Sequence, residues 1–369
     1  MKHKRFHIVT ILLCASLTTG AVLPRQDEEP LLNFTLNEND TTRYDNHYLY
    51  EKAYRTIEDM LTDKRPTDLK MANFHVDNCY FDGKNDSAAY VQEIKIIVKA
   101  LKHMYDMHRP MAPSDNVARN YCIYSYFTEA SHFNQYHTYQ YDIRSMEQTK
   151  TVLEYGTVSH LLRTRMGTCT SLPMLYKILA DETGAEAYIA LAPMHSYIRH
   201  QDHTGEWWNF ETTTGTFSRS SFIMENFHVT ENAIRSGMYM TNLTEKETLV
   251  QCLYMLLCIY EFKTGFYSNA FVQKCYRLGL KYHYADAMHI WEINDLKYQL
   301  DKDAWNNGYQ NHQEMCTSDQ YRKQFEFITQ KRKELEQLGF YAFTTEDYLK
   351  QYKAAMKYYK KQPETAKKE

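Results

Sequence analysis

Three short stretches in the middle of the chain decide both its fold and its chemistry. They read Gly167-Thr168-Cys169-Thr170-Ser171-Leu172-Pro173-Met174-Leu175-Tyr176, then Tyr188-Ile189-Ala190-Leu191-Ala192-Pro193-Met194-His195, then Trp207-Trp208-Asn209-Phe210-Glu211-Thr212-Thr213. The first contains a thiol, the second an imidazole and the third a carboxylate. A thiolate attacks, an imidazole takes and returns its proton, and an acid orients that imidazole, so the three side chains together are suited to acyl transfer.

The first stretch predicts a buried helix that starts at the thiol. Between residues 169 and 183 the apolar side chains fall on one face, Pro173 lies in the first turn, and Gly184 ends the helix. Unpaired amides and the positive end of the helix dipole stabilise a thiolate. Cys169 is therefore the candidate nucleophile.

The same helix start offers a donor for an oxyanion. The backbone N–H of Cys169 is a candidate oxyanion donor. A second donor from an upstream side chain stays open among Gln140, Gln148 and Tyr155.

The other two stretches predict a hairpin that brings the histidine to the acid. Residues 195 to 200 and 206 to 211 are the strands, and a four-residue loop between them places His195 opposite Thr212 or, with a one-residue bulge, Glu211. Alternation puts Trp207, Asn209 and Glu211 on one face. His195 and Glu211 complete the predicted catalytic triad, and Trp207 and Asn209 are candidate substrate-binding residues.

Each of these residues also has a purely structural interpretation. A free cysteine at the start of a core helix is most often a buried residue that only packs. His195 taken alone would be an ordinary hydrogen-bonded core residue. The structural alternative for Glu211, the less favoured one, is an ion pair with Arg199 across the hairpin. A metal site built from histidines 195, 200 and 203 is disfavoured because strand alternation separates them and no acid or thiol completes a ligand set. Neither a metal nor another cofactor is predicted.

The first 21 residues have the pattern of a signal peptide. A basic start precedes an apolar run from residue 6 to 17, and Thr19 and Ala21 suit cleavage after Ala21. We therefore expect export to the periplasm or the cell exterior, with lipid anchoring at Cys14 less favoured. No other apolar run is long enough to cross a membrane, so no transmembrane segment is expected in the mature chain.

Charge and cysteine content narrow the choice further. The net charge is −3, and it becomes −6 once the three basic residues of the leader are removed, which argues against a nucleic-acid partner. Seven cysteines remain after cleavage, an odd number. A disulfide between Cys79 and Cys122 is one option for this set, and Cys169 is the thiol expected to stay free.

Helical patterns flank the central stretches. An acidic segment from residue 22 to 43 is expected to be a flexible linker. The region from 44 to 150 is predicted to be mostly helical, with helices at 48 to 61 and 87 to 108, a loop at 110 to 120, and a further helix at 143 to 165. Beyond a core at 151 to 225, residues 245 to 369 are predicted to be helical almost throughout, either as plain packed helices or as tetratricopeptide-like hairpins.

The central motifs resemble the bacterial branch of the transglutaminase-like superfamily. Members of that superfamily have a Gly-x-Cys helix start, then a strand and a His, then an aromatic-rich strand that ends in an acid and Thr. Residues 150 to 215 carry the match, and one bacterial subgroup follows this core with tetratricopeptide-like helices. The chain departs from the common pattern in having Glu211 where Asp is usual, and in the short interval from Cys169 to His195.

The resemblance implies an α+β fold with a papain-like, transglutaminase-type core, a helical N-terminal region and an all-α C-terminal extension. It also implies that Cys169 is the nucleophile, His195 the base and then the acid, and Glu211 the residue that orients His195. The expected function is an exported cysteine hydrolase or acyl transferase acting on an amide, in a peptide or cell-wall peptide. The alternative is a catalytically silent binding module whose C-terminal helices bind a protein partner.

Overall fold

The computed structural model describes residues 46 to 146, 152 to 266, 268 to 282 and 286 to 361. The expected signal peptide, the expected linker and the candidate donor Gln148 lie outside these ranges. The described chain is mixed α and β, mostly helical, with a small antiparallel sheet. This agrees with the coarse α+β prediction.

The helices follow the sequence pattern closely at both ends of the chain. In chain order the α-helices of the described ranges are α1 (His47–Leu61), α2 (Leu69–Tyr80), α3 (Ser87–His108), α4 (Asp115–Thr128), α5 (Val152–Tyr155), α6 (Val158–Thr164), α7 (Ser171–Thr183), α8 (Ser220–Asn226), α9 (Glu231–Arg235), α10 (Glu245–Thr264), α11 (Ala270–Tyr282), α12 (Asp286–Asn306), α13 (His312–Met315), α14 (Asp319–Gln337) and α15 (Thr345–Lys361). Short 3-10 turns occur at Arg109–Met111, His132–Asn134 and Ile143–Met146.

The strands form two separate sheets. They are β1 (Gln140–Tyr141), β2 (Met166–Gly167), β3 (Tyr188–Ala192), β4 (His195–Gln201), β5 (Trp207–Glu211) and β6 (Thr216–Ser218). Strands β1 and β2 pair in parallel. Strands β3 to β6 form an antiparallel meander in chain order.

Two local predictions are wrong and one helix was not predicted, and a capping residue lies at each of these places. The predicted loop at residues 110 to 120 ends early, since Ser114 accepts a hydrogen bond from the Val117 N–H and starts α4. The predicted helix at 143 to 165 is instead a 3-10 turn and two short helices, with Thr157 capping α6. Helix α2 was not predicted, and Asp68 caps it by accepting from the Met71 N–H at 3.0 Å.

The described chain divides into two compact units that do not follow chain order. One contains residues 87 to 223 and 342 to 361, and the other contains residues 46 to 86 and 224 to 341. The three central stretches all belong to the first, which we call the sheet unit. The second contains no strand among its described residues, and we call it the helical unit.

The core of the sheet unit is organised around helix α7. This helix packs on β3 and β4 and on helices α3, α4 and α6. Tyr176, which is fully buried, donates a hydrogen bond to the Asn120 carbonyl oxygen at 3.1 Å, and its ring lies 5.6 Å from that of Phe210 on β5. Tyr176 thus fixes α7 to α4 and to the sheet.

Helix α10 links two groups of helices in the helical unit. It contacts α1 and α2, which also contact each other. In the second group α10, α11 and α12 pack in succession, and α14 packs on α12. Tyr260 on α10 lies 5.1 Å from the Tyr50 ring and 4.6 Å from the Phe271 ring. Tyr50, Tyr260 and Phe271 thus form an aromatic contact between α1, α10 and α11.

Two further observations concern the whole described chain. No helix in the described ranges is long and apolar enough to cross a membrane. The seven cysteines of these ranges, Cys79 and Cys122 included, carry free thiols.

Candidate active site

Cys169 lies in a turn just before helix α7 rather than on its first residue. The helix begins at Ser171, two residues later than predicted, with Thr170 at the N-cap position. The Leu172 N–H donates to the Thr168 carbonyl oxygen at 3.0 Å, so the turn that carries the thiol continues into the helix. Cys169 therefore keeps its place at the positive end of the helix dipole, while its side chain stays partly exposed.

A buried serine holds this turn in place. Ser171 accepts a hydrogen bond from the Thr168 N–H at 3.0 Å and donates one to the Tyr155 carbonyl oxygen at 2.9 Å. Gly167 lies so close that a Cβ there would come within 2.6 Å of the Ser171 Oγ and 2.8 Å of Leu161 Cδ1. The glycine of the Gly-x-Cys pattern is thus required for close packing behind the thiol.

The hairpin that joins β3 to β4 brings the histidine to the thiol. Pro193 and Met194 form its two-residue turn, and Met194 has a left-handed φ of 57°, which is uncommon for a residue other than glycine. The Met194 carbonyl oxygen accepts from the Cys169 Sγ at 3.8 Å. The Ser196 hydroxyl donates to the Cys169 carbonyl oxygen. His195, between these two contacts, is therefore held beside Cys169.

His195 uses both of its ring nitrogens. Its Nε2 lies 2.6 Å from the Glu211 Oε2, and the two side chains are 8% and 6% exposed. A second hydrogen bond joins the imidazole to the Cys169 thiol. Since Glu211 occupies Nε2, Nδ1 is the nitrogen left to face the sulfur. The structure therefore brings together the three residues of the predicted triad.

The electrostatic surroundings favour a protonated imidazole. Burial lowers the pKa of His195, but the Glu211 carboxylate and the Cys169 side chain raise it more, to about 10. An imidazolium at neutral pH is the natural counter-ion of a thiolate.

The predicted hairpin register is wrong by one residue. The loop between β4 and β5 has five residues instead of four, so Gln201 pairs with Trp207 and Ile198 with Phe210. Continued along the strands, this register places Glu211 opposite Tyr197 and not opposite His195. The ion pair is consequently a diagonal one, and the longer glutamate side chain spans it.

The candidate oxyanion donors differ in their surroundings. The Cys169 N–H has no acceptor among the described residues, whereas the N–H groups of Thr168 and Thr170 are both bonded. Gln140 lies on β1, where its Nε2 donates to the Thr138 hydroxyl at 3.5 Å. The Tyr155 carbonyl oxygen accepts from Ser171. The backbone donor is thus in place beside the thiol.

The two candidate substrate-binding residues have unlike environments. Trp207 is 36% exposed and lies under the Arg199 guanidinium, 5.0 Å from the ring centroid. Asn209 is 4% exposed, and its Nδ2 donates to the Ser218 carbonyl oxygen and the Ser220 hydroxyl, both at 3.2 Å. Asn209 therefore ties β5 to the segment that follows it, while Trp207 remains available at the surface.

The contacts also test the purely structural interpretation of Glu211 and the metal-site interpretation of the histidines. Glu211 forms its ion pair with His195, and Arg199 stacks on Trp207. His200 lies on the opposite sheet face, 5.8 Å from the Phe217 ring, and His203 is exposed in the loop. The described residues contain no group of histidines, cysteines and acids arranged to hold a metal ion.

Sequence reasoning missed Met194 and Ser196, the two residues that join the hairpin to Cys169. The signal was present as a Pro-Met pair between two strand-like runs, which is typical of a two-residue turn. Sequence reasoning also gave no pocket. The structure has a cleft of about 530 Å³ in the sheet unit, lined by residues of α3, of the segment 134 to 140 and of the segment 162 to 166.

Comparisons with known proteins give no relative. The chain matches no protein-family model, and it has no significant similarity to a curated protein or to a solved structure.

Proposed function

We propose that this protein is a transglutaminase-like cysteine hydrolase or acyl transferase that acts on an amide bond of a peptide. The observation that carries the proposal is the contact pattern of His195, which bonds Glu211 through Nε2 at 2.6 Å and interacts with the Cys169 side chain as well. A core histidine with a merely structural role has no need of a thiol on one side and a carboxylate on the other.

Each step of the reaction has a group to perform it. The Cys169 thiolate attacks the amide carbonyl carbon, and the Cys169 N–H stabilises the oxyanion that forms. The His195 imidazolium gives its proton to the leaving amine as the C–N bond breaks, which leaves an acyl-enzyme. Water or an acceptor amine then attacks the thioester, and neutral His195 takes the proton of the attacking group. The Cys169 thiol is released in this step. Glu211 keeps the imidazole oriented and stabilises its charged form.

A papain-like core is part of this proposal. Its support is the order of elements in the sheet unit, where the thiol precedes helix α7 and the antiparallel strands β3 to β5 follow with the histidine and the acid. Export, as expected from the first 21 residues, would give the enzyme access to extracellular or cell-wall peptides.

The alternative of a silent binding module predicts a different centre. In such a module we expect Cys169 to be sealed from solvent or Glu211 to point away from His195. The thiol is instead partly exposed, and the acid is paired with the imidazole at 2.6 Å. Both observations favour catalysis.

The test is the rate at which iodoacetamide modifies Cys169 in the native protein at pH 7, followed by peptide mass spectrometry. We expect Cys169 to react faster than a free model thiol such as N-acetylcysteine. His195→Ala should slow the reaction by about 100-fold, because the thiolate loses its counter-ion.

His203→Ala is the matched control, since it removes an exposed histidine from the same hairpin. It should leave the rate unchanged. If Cys169 reacts no faster than the model thiol, and His195→Ala does not slow it, the nucleophile assignment fails. Cleavage or amine incorporation in a defined peptide mixture, detected by mass spectrometry, then separates hydrolysis from transfer.

A further inference from the structure

The 530 Å³ cleft of the sheet unit lies one short strand away from the thiol. Its wall includes Arg165 and Met166, and the chain continues from there through Gly167 and Thr168 to Cys169. Four residues of extended chain span at most about 14 Å. A peptide whose amide bond lies at Cys169 therefore needs no more than about four residues to span that distance.

The charged side chains around the cleft favour a negative ligand. Its lining contains two arginines, Arg163 and Arg165, and one acid, Glu93. Arg165 Nη2 and Glu93 Oε1 form a long ion pair at 3.7 Å, so the lining still has more positive than negative side chains. A carboxylate can accept two parallel hydrogen bonds from a guanidinium, the strongest pairing available to it.

Arg165 is held rigidly before any ligand arrives. Its guanidinium lies 4.8 Å from the Tyr139 ring centroid and 5.7 Å from that of Tyr126, and it donates to the Tyr139 hydroxyl. A cation fixed in this way loses little side-chain entropy on binding.

Two residues of the cleft wall end helical turns. Gln135 and Arg165 line the cleft with left-handed φ values of 57° and 59°, and their N–H groups donate to the carbonyl oxygens of His132 and Leu161. These caps fix the backbone of the wall.

The backbone of β2 is not available for strand addition at this point. The Thr164 hydroxyl accepts from the Met166 N–H at 3.1 Å, and its own hydrogen is shared between the carbonyl oxygens of His160 at 2.9 Å and Met166 at 3.2 Å. A peptide in the cleft must therefore be recognised by side chains rather than by a backbone ladder.

We propose that this cleft binds a carboxylate of the peptide substrate, from an acidic side chain or from the C-terminus, within about four residues of the bond that Cys169 attacks. The assignment rests on the proposed function for the position of the scissile bond. Arg163 and Arg165 are the binding residues, and Gln135 and Gln140 line the same space.

The first measurement uses alanine tetrapeptides with an iodoacetyl group at the N-terminus or a chloromethyl ketone at the C-terminus. One position of each peptide carries Glu, Gln or Lys. In the iodoacetyl series the C-terminus of the peptide is either amidated or a free carboxylate. The rate of Cys169 modification is divided by the rate with iodoacetamide alone. We expect one position to favour Glu over Gln by about tenfold, as one charge-assisted hydrogen bond permits. If the free C-terminus gives the same advantage at one length, the terminal carboxylate is the source.

Arg163→Gln should abolish the preference for Glu, and Lys102→Gln, which removes an exposed cation from α3, should keep it. Equal rates with Glu and Gln at every position in both series, while iodoacetamide still reacts fast, would overturn the cleft assignment and leave the proposed function intact.

A second measurement does not depend on the thiol. The Cys169→Ala protein is titrated with acetylated, amidated alanine peptides that carry Glu or Gln, and NMR signals of the Gln135 and Gln140 side-chain amides and the Arg165 guanidinium are followed. Shifts with the Glu peptide alone support the site. Shifts with both peptides, or with neither, contradict the site. Shifts of the same size when Arg163→Gln is added to the Cys169→Ala protein also contradict it.

Discussion

Glu211 in the sheet unit and Glu261 in the helical unit are equally buried, at 4% and 3% exposure, and differ in what surrounds them. Glu211 lies 2.6 Å from an imidazole whose pKa it helps to raise to about 10. Glu261 lies on the buried face of α10, where burial alone raises the pKa of its carboxyl to about 8. The first acid is paired with a charge, and the second is accommodated largely in its neutral form at neutral pH.

Cys169 differs in the same way from two cysteines of the helical unit. Cys169 is partly exposed in a turn and hydrogen-bonded to an imidazole. Cys252 and Cys275 are fully buried in helices α10 and α11, where burial raises the pKa of each thiol. Residue type alone therefore does not mark a reactive centre. A position at the start of a helix and a charged partner are what indicate such a centre.

The largest expected effect is a difference in thiol reactivity between the units. With iodoacetamide at pH 7, Cys169 should be modified at least about 1000-fold faster than Cys252 or Cys275, because these two react only when the fold opens. Quantitative peptide mass spectrometry over time measures all three. Cys316 is the matched comparison, being partly exposed while burial raises its thiol pKa. If Cys316 equals Cys169, exposure explains the reactivity and the imidazole does not.

Glu211→Gln should have the next largest effect. Without the carboxylate, burial dominates and the pKa of His195 falls from about 10, so the imidazolium is lost at neutral pH. We expect alkylation of Cys169 at pH 7 to slow by about 30-fold, which is less than the effect of His195→Ala because the imidazole itself remains.

The pH dependence of stability follows from the same shift. The folded protein holds the His195 proton more tightly than the unfolded chain, so this stabilisation is complete below about pH 6.5 and is lost as pH rises through about 10. Nitrogen NMR titration of the His195 ring measures the pKa. Glu206→Gln, at an exposed position of the same hairpin, should leave the His195 pKa and the alkylation rate unchanged.

Glu261→Gln should increase the free energy of unfolding at pH 8. Because the folded-state pKa of about 8 lies above the unfolded value, the wild-type protein loses stability as pH rises from about 4.5 to about 8. The amide removes this loss, so the variant should be more stable than wild type by about 3 kcal/mol at pH 8. Urea unfolding at pH 5 and pH 8 tests this. Glu334→Gln, an exposed position on α14, should show no such gain; a Glu261→Gln variant that is equally stable or weaker at pH 8 contradicts the prediction.

Much of the local structure was predictable because it depends on near neighbours in sequence. Helix α3 begins and ends where apolar periodicity placed it. The break between α5 and α6 was missed because the Thr157 cap competes with an otherwise helical pattern. In the hairpin, one extra loop residue shifted the register, since turn geometry depends on backbone angles that composition only suggests.

The sequence by itself determined which side chains are the catalytic candidates, because the order of Cys169, His195 and Glu211 and the element types around them are local properties. Only the tertiary structure decided how they meet. The diagonal ion pair, the Met194 and Ser196 contacts to Cys169 and the cleft beside Arg165 all join residues that are distant in sequence, and packing of α7 against the sheet sets those distances. Hydrogen bonds and ion pairs depend on separations of a few ångströms, and a linear pattern of residue types does not specify separations of that size.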